Sequence, residues 1–284
     1  MGGATLTLGV TLAVLGAGLL HASWNALLKT ARGGEPMLDT AAVVAGSSAW
    51  ALAVLPFAGL PDPAAWPYVA LSSAIHFAYY ITLTNAYRTG DLSFSYPIMR
   101  GAAPLITAVL GIVFLGELPA LHVGLGILLI CGGIVSIAFV RREHHRWQAA
   151  AWALGNAAII ATYTLVDGAG VRSSGNPLAY VSWLLFLEGL PFLAWVLWRG
   201  RRPAAAYLVR THRLALVGGF CSLAAYGIVL WAMTRAPVAA VAALRETSVL
   251  FAAVIGAVWL REGFGVMRLA GAAFVVAGIA ALKL

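Results

Sequence analysis

Ten long apolar stretches, each parted from the next by a few polar or turn-forming residues, decide what this chain can fold into. They fall at about 6–28, 37–59, 66–87, 92–115, 119–140, 147–167, 177–198, 213–234, 237–260 and 264–282. A helix crossing about 30 Å of hydrocarbon needs roughly 20 apolar residues, which matches their length. Helix-breaking chemistry stands between them: Gly33-Gly34-Glu35-Pro36, Pro61-Asp62-Pro63, Gly90-Asp91, Glu117-Leu118-Pro119, Gly175-Asn176-Pro177 and Ala236-Pro237. Only 10% of residues are charged and 62% are hydrophobic, against about 25% charged in a soluble domain. Such a chain cannot cover a water-facing surface, so its outer solvent is lipid. The reading is an all-α membrane protein of ten transmembrane helices, with all function inside the bundle.

The first stretch is too long for the apolar core of a secretory signal and has no basic segment before it, so it reads as helix 1 of the mature protein. The net charge of +8 does not mark a nucleic-acid binder, because the basic residues are scattered between apolar runs. Of the 18 Lys and Arg, Arg100 and Arg245 lie deep within runs. Arg172, Arg235 and Lys283 flank the even-numbered connections, and the remaining thirteen flank the odd-numbered ones. The positive-inside rule then puts the odd connections in the cytoplasm and both termini outside. The expected location is a bacterial inner membrane. Cys131 and Cys221 sit far apart in apolar runs and imply neither a disulfide nor a metal site.

The chain repeats itself. Shifted by 145 residues, helices 4–5 fall on helices 9–10 without a gap: Arg100 meets Arg245, Gly111 meets Gly256, Glu117 meets Glu262, Gly126 meets Gly271 and Gly133 meets Gly278. Over 100–117, eight of eighteen positions are identical. A shift of 139 sets Gly16 on Gly155 and Trp24 on Tyr163. The units are 1–142 and 147–284. Each holds five helices, an odd number, so the second copy must enter the membrane from the opposite side. Inverted repeats enclosing a site at mid-depth are an architecture of alternating access.

The segments HASWNALLK (21–29), FLGE (114–117) and WLRE (259–262), each FLGE-like close followed by a glycine-bearing helix, resemble the drug/metabolite transporter superfamily, and most nearly its ten-helix, EamA-type branch. The resemblance spans the whole chain. It implies export or exchange of amino acids, other organic metabolites or drugs through a cavity lined by helices 1, 3 and 4 and their counterparts 6, 8 and 9.

Polar groups at membrane depth are costly and tend to mark function. Arg100 lies eight residues into helix 4, about 12 Å deep at 1.5 Å per residue, and Arg245 reaches the same depth from the opposite side. Either guanidinium suits a substrate carboxylate; the bland alternative is a structural ion pair with Glu246, Glu188 or Asp167. Tyr96 stands one turn before Arg100. His21, Trp24 and Asn25 share a face of helix 1, and His76, Tyr80, Thr84 and Tyr87 share one of helix 3. Asn156, Tyr163 and Asp167 in helix 6, and Ser222 and Tyr226 in helix 8, extend the set. Substrate contact and helix packing both fit these stripes. Glu117 and Glu262 are expected to cap the helices that follow them, and Gly126, Gly133, Gly271 and Gly278 to form close helix contacts.

For coupling to protons, Glu188 is the one deep acid outside the Arg245-Glu246 pair, and His21 is a second titratable group. No P-loop is present, so ATP does not drive the protein directly, and no cofactor is expected. No metal-spaced cluster or nucleophile motif points to an enzyme. The expectation is a secondary transporter of amino acids or related carboxylate-bearing solutes, its partners a small-molecule substrate and the lipid bilayer but no nucleic acid, acting as a monomer. The alternatives are a lipid flippase or scramblase and a multidrug or organic-cation exporter.

Overall fold

A computed structural model describes residues 6–30, 35–89, 92–138, 146–258 and 266–282. Among them all regular structure is helical. The elements are α1 (Leu8–Thr30), α2 (Pro36–Ala58), α3 (Trp66–Thr89), α4 (Leu92–Leu110, continued by a π-helical turn Gly111–Leu115), α5 (Leu121–Ala138), α6 (Arg146–Arg172), α7 (Pro177–Arg210), α8 (His212–Met233), α9 (Val238–Arg245), α10 (Ser248–Val258) and α11 (Val266–Ala281). Pro36 and Pro177 each open a helix at the position where a missing N–H costs nothing. Asn176 caps α7 by accepting from the amides of Leu178 and Ala179.

Two stretches differ from the sequence expectation. The seventh does not stop at 198. It continues to Arg210 across a break at Arg201, whose φ of 46° is left-handed. The ninth is not one helix: α9 and α10 are separated at Glu246-Thr247, where the amides of Glu246, Thr247 and Val249 bond three residues back, to Ala243, Leu244 and Glu246. Tightened turns of this kind inside a helix frequently mark a functional hinge.

Among the described residues five helices, including Met37–Ala58, Phe94–Leu115 and His212–Met233, are long and apolar enough to cross a membrane. Side chains such as Phe57, Leu121, Trp147 and Phe114 face outward, as lipid contact requires. α3 is as long but less apolar, carrying Ser72, Ser73, His76, Thr82, Thr84 and Asn85 along its length.

The inversion of the two halves is visible in one seam. On α5, Gly126 lies against Gly278, and Gly133 against Gly271 and Phe274 of α11. By sequence Gly126 corresponds to Gly271 and Gly133 to Gly278, so each glycine meets the counterpart of the other. Only an antiparallel, two-fold-related pair gives that crossing. α2 and α7, also counterparts, run antiparallel too: Tyr207 meets Asp39, Leu185 accepts from Ser48, and Ala58 accepts from Asn176.

The seam is tight. A Cβ at Gly133 would stand 2.7 Å from the Gly271 carbonyl oxygen, and one at Gly126 2.9 Å from that of Gly278. These are backbone atoms and cannot swing aside. Gly133→Ala is expected to lower the thermal-unfolding midpoint, since overpacking costs about 1–3 kcal/mol against about 1 kcal/mol gained in helix propensity. Gly132→Ala, where the added methyl meets nothing, is expected to leave the midpoint unchanged or raise it; equal responses of the two variants would refute the seam.

Candidate functional site

The deepest charges gather where α4 passes the break between α9 and α10. Arg100 is 6% exposed, Arg245 7% and Glu246 1%. Arg100 Nε stands 2.6 Å from one carboxylate oxygen of Glu246, and Arg245 Nε 3.4 Å from the other. One carboxylate therefore serves two guanidinium groups. The sequence offered Glu246 to both arginines, with its neighbour Arg245 the more natural partner; the shorter contact is with Arg100, across the repeats. Arg100 Nη2 is buried without a hydrogen-bond partner among the described residues. This cluster carries two positive charges and one negative, and it presents an unused donor. Tyr96 lies beneath the Arg100 guanidinium, 5.9 Å from ring centre to Cζ.

A second polar group adjoins the first through stacked rings. His76 lies on Tyr163, with centroids 4.1 Å apart. His76 Nδ1 is 3.2 Å from Glu188 Oε2, and the Tyr80 hydroxyl donates to Glu188 Oε1 at 3.2 Å. Asp167 accepts from the hydroxyls of Tyr180 and Tyr226, and Ser72 Oγ is 3.2 Å from His76 Nδ1. Asp167 is fully buried, which corrects the expectation that Glu188 is the one deep acid outside the Arg245-Glu246 pair. The position of Asp167 near the end of an apolar run hid its depth, because α6 extends five residues beyond that run, to Arg172.

Most of the expected residues thus converge: Arg100, Arg245, Tyr96, His76, Tyr80, Tyr163 and Tyr226, with Glu188. Trp24 donates to the His21 ring at 3.3 Å. Thr84 bonds the Tyr80 carbonyl of its own helix. Asn156 is spent on packing, donating to Tyr79 O and Thr82 Oγ1 of α3. The side chain of Asn25 and all of Glu262 lie outside the described residues. Tyr180 and Ser72 were not anticipated; a hydroxyl one helical turn from His76 was the available signal for Ser72.

Glu117 caps a helix, but not α5 as expected. Its Oε2 accepts from the amide of Val238, which opens α9 in the other repeat, and its Oε1 pairs with Arg172 Nη1 at 2.5 Å. Arg172 also donates to the carbonyls of Met233 and Ala236. Asn176 donates to Ala58 O, Trp183 to Gly59 O, and the Asp62 amide to Ser174 O. These bonds tie all four even-numbered connections into a belt across one end of the bundle. Arg172→Gln is expected to loosen it. With Cys131 and Cys221 replaced, a membrane-impermeant maleimide should label Ala242→Cys, buried in α9, several-fold faster in that background; an unchanged rate would mean that the belt seals nothing.

Against known proteins, the EamA-like transporter family matches residues 7–139 and again 147–284. One solved crystal structure superposes with a TM-score of 0.74 over 96% of both chains at 16% identity, a likeness of fold. No curated protein matches significantly.

Proposed function

The chain belongs to the EamA-like transporter family, and on that premise we propose that it carries amino acids or related carboxylate-bearing solutes across the membrane by alternating access. The observation that supports this cargo is the charge imbalance at Arg100, Arg245 and Glu246. Two buried guanidinium groups share one acid, and Arg100 Nη2 has no partner among the described residues. A carboxylate arriving there supplies the missing negative charge and accepts the unused N–H. Arginine presents such a group with a planar, bidentate fork. Tyr96, Tyr163, Tyr226, His76, His21 and Trp24 provide the surrounding wall, which suits the organic part of the solute.

Both repeats contribute to the site: Arg100 comes from the first, Arg245 and Glu246 from the second. A single chain therefore suffices, and the protein acts as a monomer. The distribution of basic residues supports a bacterial inner membrane with the odd connections cytoplasmic. The belt at Glu117 and Arg172 then closes the periplasmic end, and release on that side requires the belt to part.

Arg100→Ala is expected to lower the flux of labelled amino acids into proteoliposomes by roughly 10- to 100-fold, as loss of a charge-assisted hydrogen bond of about 1.5–3 kcal/mol implies. Arg100→Lys should retain part of it. Normal flux in Arg100→Ala, with unaltered folding, would remove the carboxylate clamp; lipid scrambling by the wild type without solute flux would replace the carrier by a flippase.

Coupling to protons is assigned to Glu188 together with His76. Glu188 contacts Tyr80 and His76 but no arginine or lysine among the described residues, and His21 is the second titratable group of the cavity. An imposed pH gradient is expected to change wild-type flux several-fold. Glu188→Gln should abolish that response while retaining exchange without a gradient. A wild type indifferent to the gradient would make the protein a facilitator.

A further inference from the structure

The segment beyond the break in α7 takes no part in the cavity. At Arg201 the backbone turns out of the helix, and residues 202–210 resume it in a new direction. The inner face of this short helix is settled: Ala204 is buried in a cluster with Ala41 and Val44 of α2, against which Leu208, Met37 and Leu38 also pack, while the Tyr207 hydroxyl donates to Asp39 Oδ1 at 2.5 Å. Its outer face is not. Arg201, Arg202, Ala205, Ala206, Val209 and Arg210 are all exposed, as are His212 and Arg213 just beyond.

Three observations define what this face fits. No Asp or Glu occurs between Gly189 and Arg245, and the neighbouring Asp39 is engaged by Tyr207, so the basic charge is not neutralised from within its own stretch of chain. Arg202, Ala206 and Arg210 recur every four residues and share a face. The small Ala206 leaves a shallow groove with Pro203, Tyr207 and Arg210 around it, and the Arg210 guanidinium lies 5.5 Å from the Tyr207 ring centre. Finally, the segment joins two membrane-crossing helices, and the residues flanking it are exposed and apolar: Trp198 at 75%, Leu216 at 45% and Val217 at 52%. The groove therefore lies at the level where hydrocarbon gives way to headgroups, with apolar side chains on the bilayer side and arginines on the other.

We propose that this face is a binding site for an anionic phospholipid, its headgroup phosphate held between Arg202 and Arg210 in the groove over Ala206. The position at the bilayer edge selects a lipid over a soluble anion, and the absence of acids along the segment selects a negatively charged headgroup over a zwitterionic one. Clusters of arginine at a membrane boundary draw anionic lipids in this way. The site stands apart from the central cavity and does not depend on what the cavity carries.

The test uses the full-length protein in detergent, titrated with short-chain phosphatidylglycerol or phosphatidylcholine, with the thermal-unfolding midpoint as readout. Phosphatidylglycerol is expected to raise the midpoint saturably and phosphatidylcholine to leave it unchanged. The double variant R202Q/R210Q should weaken the apparent affinity about 25-fold, near fivefold for each interfacial arginine. R202K/R210K, which keeps the charge, should respond within a few-fold of wild type, and so should Arg235→Gln at the far end of α8. If the double glutamine variant does not fold, Arg202→Gln alone should show about a fivefold loss. Equal responses to the two lipids, an undiminished response in the glutamine variants, or the same stabilisation by soluble glycerol phosphate would overturn the proposal.

Discussion

Two arginines buried at the centre of a membrane protein are the costliest feature of this molecule, and much of its interior is arranged around them. Removing an ion from water into a low-dielectric interior carries a penalty of several kcal/mol even after relaxation. The penalty is met here by Glu246, which touches both guanidinium groups, and by Tyr96, whose ring face lies beneath Arg100. Glu246 also stands at the break between α9 and α10, where the backbone bonds of the helix shorten by one residue. The costliest charges and the least regular backbone of the described core thus fall at one place.

The rest of the polar interior follows from the same need. Asp167 is held by the hydroxyls of Tyr180 and Tyr226 rather than by a cation among the described residues, and Glu188 by Tyr80 and His76. His76, packed on Tyr163, lies between the acids and the arginines. This layout gives the polar interior two ends of opposite character, linked by aromatic rings that add no charge.

Much of this was legible in the chain. Apolar length gave the spans, and paired Arg, Glu and Gly at one spacing gave the repeat. The odd helix number gave its inversion, which the crossed contacts of Gly126 with Gly278 and Gly133 with Gly271 bear out. The break at Glu246-Thr247 was not legible, because neither proline nor glycine marks it; its residues differ from a continuous helix only in being polar. The extension of α7 past Arg201 was hidden by the arginines themselves, which read as a loop when they are the outer face of a helix. Glu117 was legible as a cap, but local sequence pointed to the next helix, whereas the amide it serves belongs to the opposite repeat.

The sharing of Glu246 by two arginines has a consequence for ancestry. Under the alignment that sets Arg100 on Arg245, the position matching Glu246 is Gly101. A homodimer of one five-helix chain inserted both ways would obey its own symmetry: it would hold two acids beside its two arginines, or none. An odd number of charges shared between the repeats is open only to copies that differ in sequence. Divergence of the two repeats, Glu246 against Gly101, is therefore what permits a centre with a standing surplus of one positive charge.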